Sequence, residues 1–232
     1  MTPSAPRPGS ARPGRPRSAE ADRAILEATR AALVELGWSK LTMGDVAARA
    51  GVAKTTLYRR WASKHELVVD AVAAVFEENL DLPDLGSLQA DIEAVVLQFA
   101  ALLERPETGM ALMAVVAEAT RDEDLRQRIR TALVERQKCL VLLGRERAQA
   151  RGELPREESP EVSARTVDLI FDVIAGAVVH RAMVSAERVD EEWVRAFATL
   201  LIHGLAAAAG ADPATTANDP AAERGGDDPA AG

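Results

Sequence analysis

The chain has 232 residues, 47% hydrophobic and 28% charged, with a formal net charge of −8 and one cysteine, Cys139. This composition suits a globular protein with enough chain to bury a core. It excludes an intramolecular disulfide and fits a reducing cytoplasm, and no apolar run approaches the roughly 20 residues of a membrane span. The opening residues lack the apolar stretch of a signal peptide. Charge is divided unevenly: residues 1–68 hold 12 Lys and Arg against 6 Asp and Glu, and the remainder holds 16 against 30. A basic leading third inside an acidic protein can attract a polyanion while the rest keeps the chain soluble.

In chain order, residues 1–17 are mostly Pro, Arg, Gly, Ser and Ala and read as a disordered arm. Arginine in such an arm can enter a narrow minor groove, or the arm can be a solubilising tail. Ile25, Leu26, Ala32, Leu33 and Leu36 trace one helical face that also takes in Thr29, and Gly37 stands where that helix ends. Thr42 reads as an N-cap, with Asp45 completing a capping box and Val46, Ala47 and Ala50 on the buried face. Gly51 interrupts after about two turns. A short helix over Lys54–Trp61 follows, and Ser63 with Glu66 opens another. Beyond Pro83 the periodicity predicts helices near 87–104, 108–119, 122–150, 160–186 and 190–209. The tail from Gly210 is Ala, Asp, Pro and Gly of low complexity and reads as disordered. Strand signals are almost absent, so the fold class is all-α.

Two short helices joined by a glycine turn behind a longer first helix make a helix-turn-helix candidate over residues 42–61. Its second helix would enter the major groove. Lys54 and Thr55 sit at the helix N-terminus, where the dipole favours a phosphate, and Thr56 can meet a base edge or a thymine methyl. Tyr58 can donate its hydroxyl to a phosphate oxygen. Arg59 and Arg60 point to different azimuths, so at most one reaches bases while the other holds the backbone. Lys64 has a phosphate within reach, and Leu57 and Trp61, four apart, belong to the core. The plainer reading is a solvated cationic face on one of many helix–glycine–helix turns. The uneven charge and the two capping boxes favour nucleic acid.

The stretch "LTMGDVAARAGVAKTTLYRRWASKHELVVDAV" resembles the DNA-binding domain of the TetR family of transcriptional regulators. The threonine cap, the alanine-rich helix, the Gly-Val turn, "TLYRRW" for T-L-Y-x-x-F/W and "SKHEL" for S/T-K-x-E-L follow in order without gaps. The resemblance covers about residues 19–79. It implies phosphate contacts from Thr42, Tyr58 and Lys64, and base or backbone contacts from Lys54, Thr55, Thr56 and Arg60. Ala53 departs from the pattern, since many members cap the recognition helix there with Ser or Thr. Arg59 and Arg60 stand where aromatics or His are also common, so base preference is not inherited. The implied organisation is an arm (1–17), a three-helix helix-turn-helix domain (18–80), a helical ligand-binding and dimerisation domain (81–209) and a tail (210–232).

One such module is too small for tight specific binding, so a twofold partner is expected. The last two helices supply the candidate dimer face: Val167, Ile170, Ile174, Ala177, Val178 and Arg181 on the first, Val194, Phe197, Ala198, Leu201 and Leu205 on the second. The same stripes could equally face the chain's own core. In the family an apolar small molecule sits among the middle helices, and its binding shifts the helix at about 64–80. Phe99, Leu103, Met110, Met113, Val116, Cys139, Leu143 and Phe171 are the apolar candidates to line such a pocket, though each could be plain core.

Nothing points to catalysis. His65, His180 and His203 are the only histidines; none stands at metal-ligand spacing with another His or with Cys139, and His65 is expected on a solvated face. Asp168 and Asp172 are four apart on a helix and read as surface charges. No phosphate-cradling glycine loop or nucleophile motif occurs, so no cofactor or metal is expected. The expected function is a cytoplasmic, ligand-responsive repressor that binds a palindromic operator as a homodimer. The alternatives are an all-helical module whose basic third recognises acidic protein or membrane, or a small helical enzyme.

Overall fold

A computed structural model describes residues 17–156 and 159–210. The expectations for the arm and the tail fall outside these residues, except that Arg17 opens the first helix and Gly210 closes the last. The helices are α1 (Arg17–Lys40), α2 (Met43–Arg49), α3 (Lys54–Tyr58), α4 (Lys64–Asn79), α5 (Leu88–Leu103), α6 (Pro106–Ala119), α7 (Glu123–Ile129), α8 (Glu135–Ala150), α9 (Pro160–Val179) and α10 (Glu191–Gly210). Two π-helical turns, Arg130–Val134 and His180–Val184, join α7 to α8 and extend α9. No strand occurs among the described residues.

The chain divides into two compact units. The first holds the described residues through Leu80 together with Phe99–Gln137; the second holds Asp81–Gln98 and Lys138 onward. One division falls between Leu80 and Asp81, and residues 99–137 return to the first unit.

In the first unit α1 packs against α2, α4 and α6, and α4 packs against α6, α7 and the first π turn. Ile25, Ala32 and Leu33 of α1 are buried, as are Val46 and Ala47 of α2 and Leu67, Val68, Val72 and Phe76 of α4. Each of these side chains leaves water at a gain of about 1.5–3 kcal/mol for the larger ones. Thr29 shares the buried face because its hydroxyl donates to the Ile25 carbonyl at 2.7 Å, so no polar atom is stranded. Gly37 breaks the regular helix with φ 73° and ψ 168°. The break lets Trp38–Lys40 turn away before Thr42 caps α2.

In the second unit Asp91 is fully buried. Arg151 holds it at 3.0 Å, and the Leu85 N–H donates to its other oxygen at 2.7 Å. Arg151 also reaches Asp84 at 2.9 Å and Glu153 at 3.1 Å. Desolvation opposes its charge, but these hydrogen bonds and carboxylates leave its guanidinium more basic than usual.

The candidate dimer stripes divide by burial. Val167, Ile170 and Val178 on α9 and Val194, Ala198 and Leu201 on α10 are buried in the chain itself, while Ile174, Ala177, Arg181, Phe197 and Leu205 are half-buried. The exposed apolar side chains are Val162, Leu169 and Val173 on α9 and Leu200 on α10, the last 73% exposed. Helical periodicity marks an apolar arc, and α9 carries two of them, of which the one with Val167, Ile170 and Val178 turned inward.

Candidate nucleic-acid interface

The first element of the site is the cap of α2. Thr42 Oγ1 donates to Asp45 Oδ2 at 2.6 Å and accepts the Asp45 N–H at 3.2 Å, while the Thr42 N–H donates to Asp45 Oδ2 at 3.0 Å. The two backbone bonds form the expected capping box. The Thr42 hydroxyl is the main cause that holds the Asp45 carboxyl below the usual carboxylate range, with Lys54 and Arg49 adding to it. The turn follows: Gly51 adopts φ 67°, a left-handed conformation that costs a side-chain-bearing residue energy. The Val52 N–H then bonds back to the Ala47 carbonyl at 3.0 Å.

Only five residues of α3 are helical, ending at Tyr58 with Arg59 at the C-cap, so Trp61 falls outside the helix that the sequence ran to it. A helix that short has no stability of its own. It is held by Leu57, 0% exposed, and Trp61, 6% exposed, which form its underside as expected. Ala53 stands at the N-cap and makes no side-chain cap. With the underside fixed, Lys54, Thr55, Tyr58 and Arg59 face outward and are exposed, and Thr56 is half-buried.

Two of the expected contact residues also hold partners within the chain. Arg60 forms an ion pair with Asp22 on α1, so of the two arginines it is Arg59 that faces outward. Lys64 donates to the Trp38 carbonyl at 2.9 Å and lies 4.7 Å from the centre of the Trp38 ring. Its ammonium thus ties α4 to the end of α1. His65 differs from its expected solvated placement as well. It is half-buried, stacked on Trp38 with ring centres 5.3 Å apart, and its Nδ1 lies 3.2 Å from Asp122 Oδ2. Sequence spacing does not mark Trp38 or Asp22, since their partners lie beyond α2 and α3. Lys40, exposed in the last turn of α1 beside Thr42, is a further cation on this side; its only signal was its position.

The candidate pocket residues are spread over both units. Phe99, Leu103, Met110, Met113 and Val116 belong to the first, and Cys139, Leu143 and Phe171 to the second. Leu103 is buried and Phe99 meets Phe76 edge-on at 5.7 Å, whereas Met110, Val116 and Cys139 are exposed. A cleft of about 690 Å³ in the first unit, between α1, α4 and the start of α6, is lined mainly by charged chains including Arg23, Arg30, Glu78 and Glu107; none of these apolar residues reaches it.

Residues 25–71 match the model described as bacterial regulatory proteins, tetR family, and residues 82–201, just over half the chain, match the tetracyclin repressor-like C-terminal domain. The chain belongs to the TetR family. Its relatives there include the HTH-type transcriptional regulator YdeS of Bacillus subtilis, 29% identical over 182 residues that span 78% of this chain and 88% of that one. Another is the HTH-type regulator Rv1556 of Mycobacterium tuberculosis, 30% identical over 199 residues spanning 84% and 91%. Among solved structures, the TetR family transcription regulator SCO0332 is 30% identical, with a TM-score of 0.65 and coverage of 80% of this chain and 98% of that one. These TetR-family proteins are helix-turn-helix transcriptional regulators, not enzymes. No described helix is long and apolar enough to cross a membrane.

Proposed function

We propose that this TetR-family regulator binds a palindromic operator as a homodimer, represses the adjacent genes, and releases the DNA when a small, mostly apolar effector binds. The division of labour follows the sequence: residues 18–80 meet DNA, and the helices of residues 81–209 carry the effector site and the dimer face.

One observation carries the reading. Leu57 and Trp61 fix the underside of α3 while Lys54, Thr55, Tyr58 and Arg59 stand outward together, beside the exposed Thr42 cap. Cation, hydroxyl and guanidinium groups on one short helix suit phosphates at its ends and base edges between. The outward apolar side chains Leu169, Val173 and Leu200 on α9 and α10 support twofold pairing, which sets two recognition helices about 34–36 Å apart. The effector acts by binding one spacing of the two helices more tightly than the other.

The test is retention of genomic fragments by the purified protein, followed by duplex binding at rising salt. A palindromic site whose affinity falls steeply with salt is expected. Retention of no duplex, or equal retention of all sequences, would overturn the reading.

A further inference from the structure

Three polar contacts tie α4 to the rod formed by α7, the first π turn and the opening residues of α8 through Gln137, all within the first unit. His65 meets Asp122 at 3.2 Å, Asp70 accepts Arg128 at 3.0 and 3.2 Å, and Glu77 pairs with Arg136. The partners rise together along both elements, so α4 and the rod run parallel. Asp70 is the central rung and also serves α3, because its Oδ2 accepts the Trp61 indole N–H at 2.9 Å. One carboxylate therefore holds both the anchor at the end of the recognition helix and the guanidinium of α7.

The π turn brings two of the rungs, Asp70 with Arg128 and Glu77 with Arg136, into register. Asp70 and Glu77 are seven residues apart on α4, which is two helical turns less about 20°. Arg128 and Arg136 are eight apart, and an unbroken α-helix would rotate Arg136 about 80° past two turns, off the face that meets α4. Between them the Glu135 N–H bonds to the Arg130 carbonyl, an i to i+5 closure that takes up one extra residue. The wider turn brings both arginines back to one side.

We propose that Asp70 and Arg128 are positioning residues for operator recognition, and that the π turn is the register device that lets the rod set the placement of the recognition helix through Trp61. This rests on the operator reading above and adds the route by which α7 governs α3. Half-exposed ion pairs contribute little to stability, so the ladder orients α4 and α3 without being needed to fold them.

The experiment uses the full chain, with two readouts. Hydrogen exchange is followed at the amides of Arg59, Arg60 and Trp61, which bond to Thr55 and Leu57 carbonyls and close the end of the recognition helix. Affinity is measured for the duplex fragments that the wild type retains. Asp70→Asn keeps an acceptor for Trp61 but loses the charge facing Arg128, and Arg128→Gln removes the opposite charge. Each is expected to speed exchange at those amides about threefold to tenfold and to weaken duplex binding about as much, with the double variant no worse than either single one. Arg128→Lys, which keeps a cation opposite Asp70, is expected to restore both readouts, and α1 exchange and Tm should stay near wild type. Unchanged exchange in both single variants, losses that add in the double, or failure of lysine to rescue would overturn the proposal. A wild type that retains no duplex defeats the operator reading and with it the recognition role, while exchange at these amides still decides whether the ladder holds α3 in place.

Discussion

The side chain of Lys54 lies against the backbone of Gly44, so close that a methyl group at 44 would come within 2.6 Å of Lys54 Cε and 2.8 Å of Nζ. The absence of a side chain on α2 thus seats the first cation of α3. Because the atoms met are the end of a flexible chain, Gly44→Ala should move the lysine and spare the backbone. We expect α2 to gain about 0.5–1 kcal/mol of helix preference while duplex binding weakens about threefold. Lys54→Ala should weaken binding too, and the double variant should be no weaker than Lys54→Ala; independent losses in a titration of all three would refute the coupling.

Ala53 leaves α3 without a side-chain cap. Ala53→Ser should supply one, adding about 0.5–1 kcal/mol to unfolding stability. It also places a hydroxyl beside the helix N-terminus, so duplex affinity should rise. A denaturant melt and a binding curve on the same variant check both; a rise in neither would show that the cap geometry is not reached.

The Asp45 carboxyl is held below its ordinary range, first by the Thr42 hydroxyl. A group whose pKa is depressed by folding stabilises the fold above its unfolded value and loses that contribution as pH falls through the lower folded value. Melts from neutral to acid pH should therefore show the wild type losing an increment on the acid side of the usual carboxylate range. Asp45→Asn should lack that step and be weaker at neutral pH. Parallel wild-type and variant curves would contradict the assignment.

Leu200 and Leu201 are neighbours with opposite surroundings, 73% and 9% exposed. Leu200→Glu should leave the protomer folded and drive the dimer to monomer, read by sedimentation. Leu201→Glu buries a charge and should cost several kcal/mol, enough to compromise folding. Dimers that persist in Leu200→Glu would place the twofold contact elsewhere.

Deleting Thr131, an exposed residue of the first π turn, shortens the step from Arg128 to Arg136 from eight residues to seven. A regular α-helix with that step keeps both arginines on one side. The deletion should be tolerated, with Tm near wild type, whereas an alanine inserted at the same point should loosen the rod's hold on α4. Thermal melts of the pair decide it: a deletion as damaging as the insertion would speak against the register.

What the sequence made legible is what neighbours along the chain decide. The capping box of Thr42 and Asp45, the turn at Gly51 and the burial of Leu57 with Trp61 all follow from spacings of three or four residues and from the backbone freedom of glycine. The bond of Arg60 to Asp22 and the seating of Lys64 and His65 on Trp38 depend on how α1 meets the segments after α3, which no periodicity encodes. The same limit explains α9, where two apolar arcs look alike until the chain buries one of them. The π turn was hidden because it inserts one residue without breaking the helix, and its trace is only a mismatch between two series of charges.

The shortness of α3 has an evolutionary consequence. Its attachment resides in two side chains on the hidden side, so Thr55, Tyr58 and Arg59 carry no duty in holding the protein together. On the proposed operator reading, exchanges at Thr55 and Arg59 would change which DNA is preferred at almost no structural penalty. Such a scaffold can be readdressed to a new promoter one outward residue at a time, while everything beneath it stays as it was.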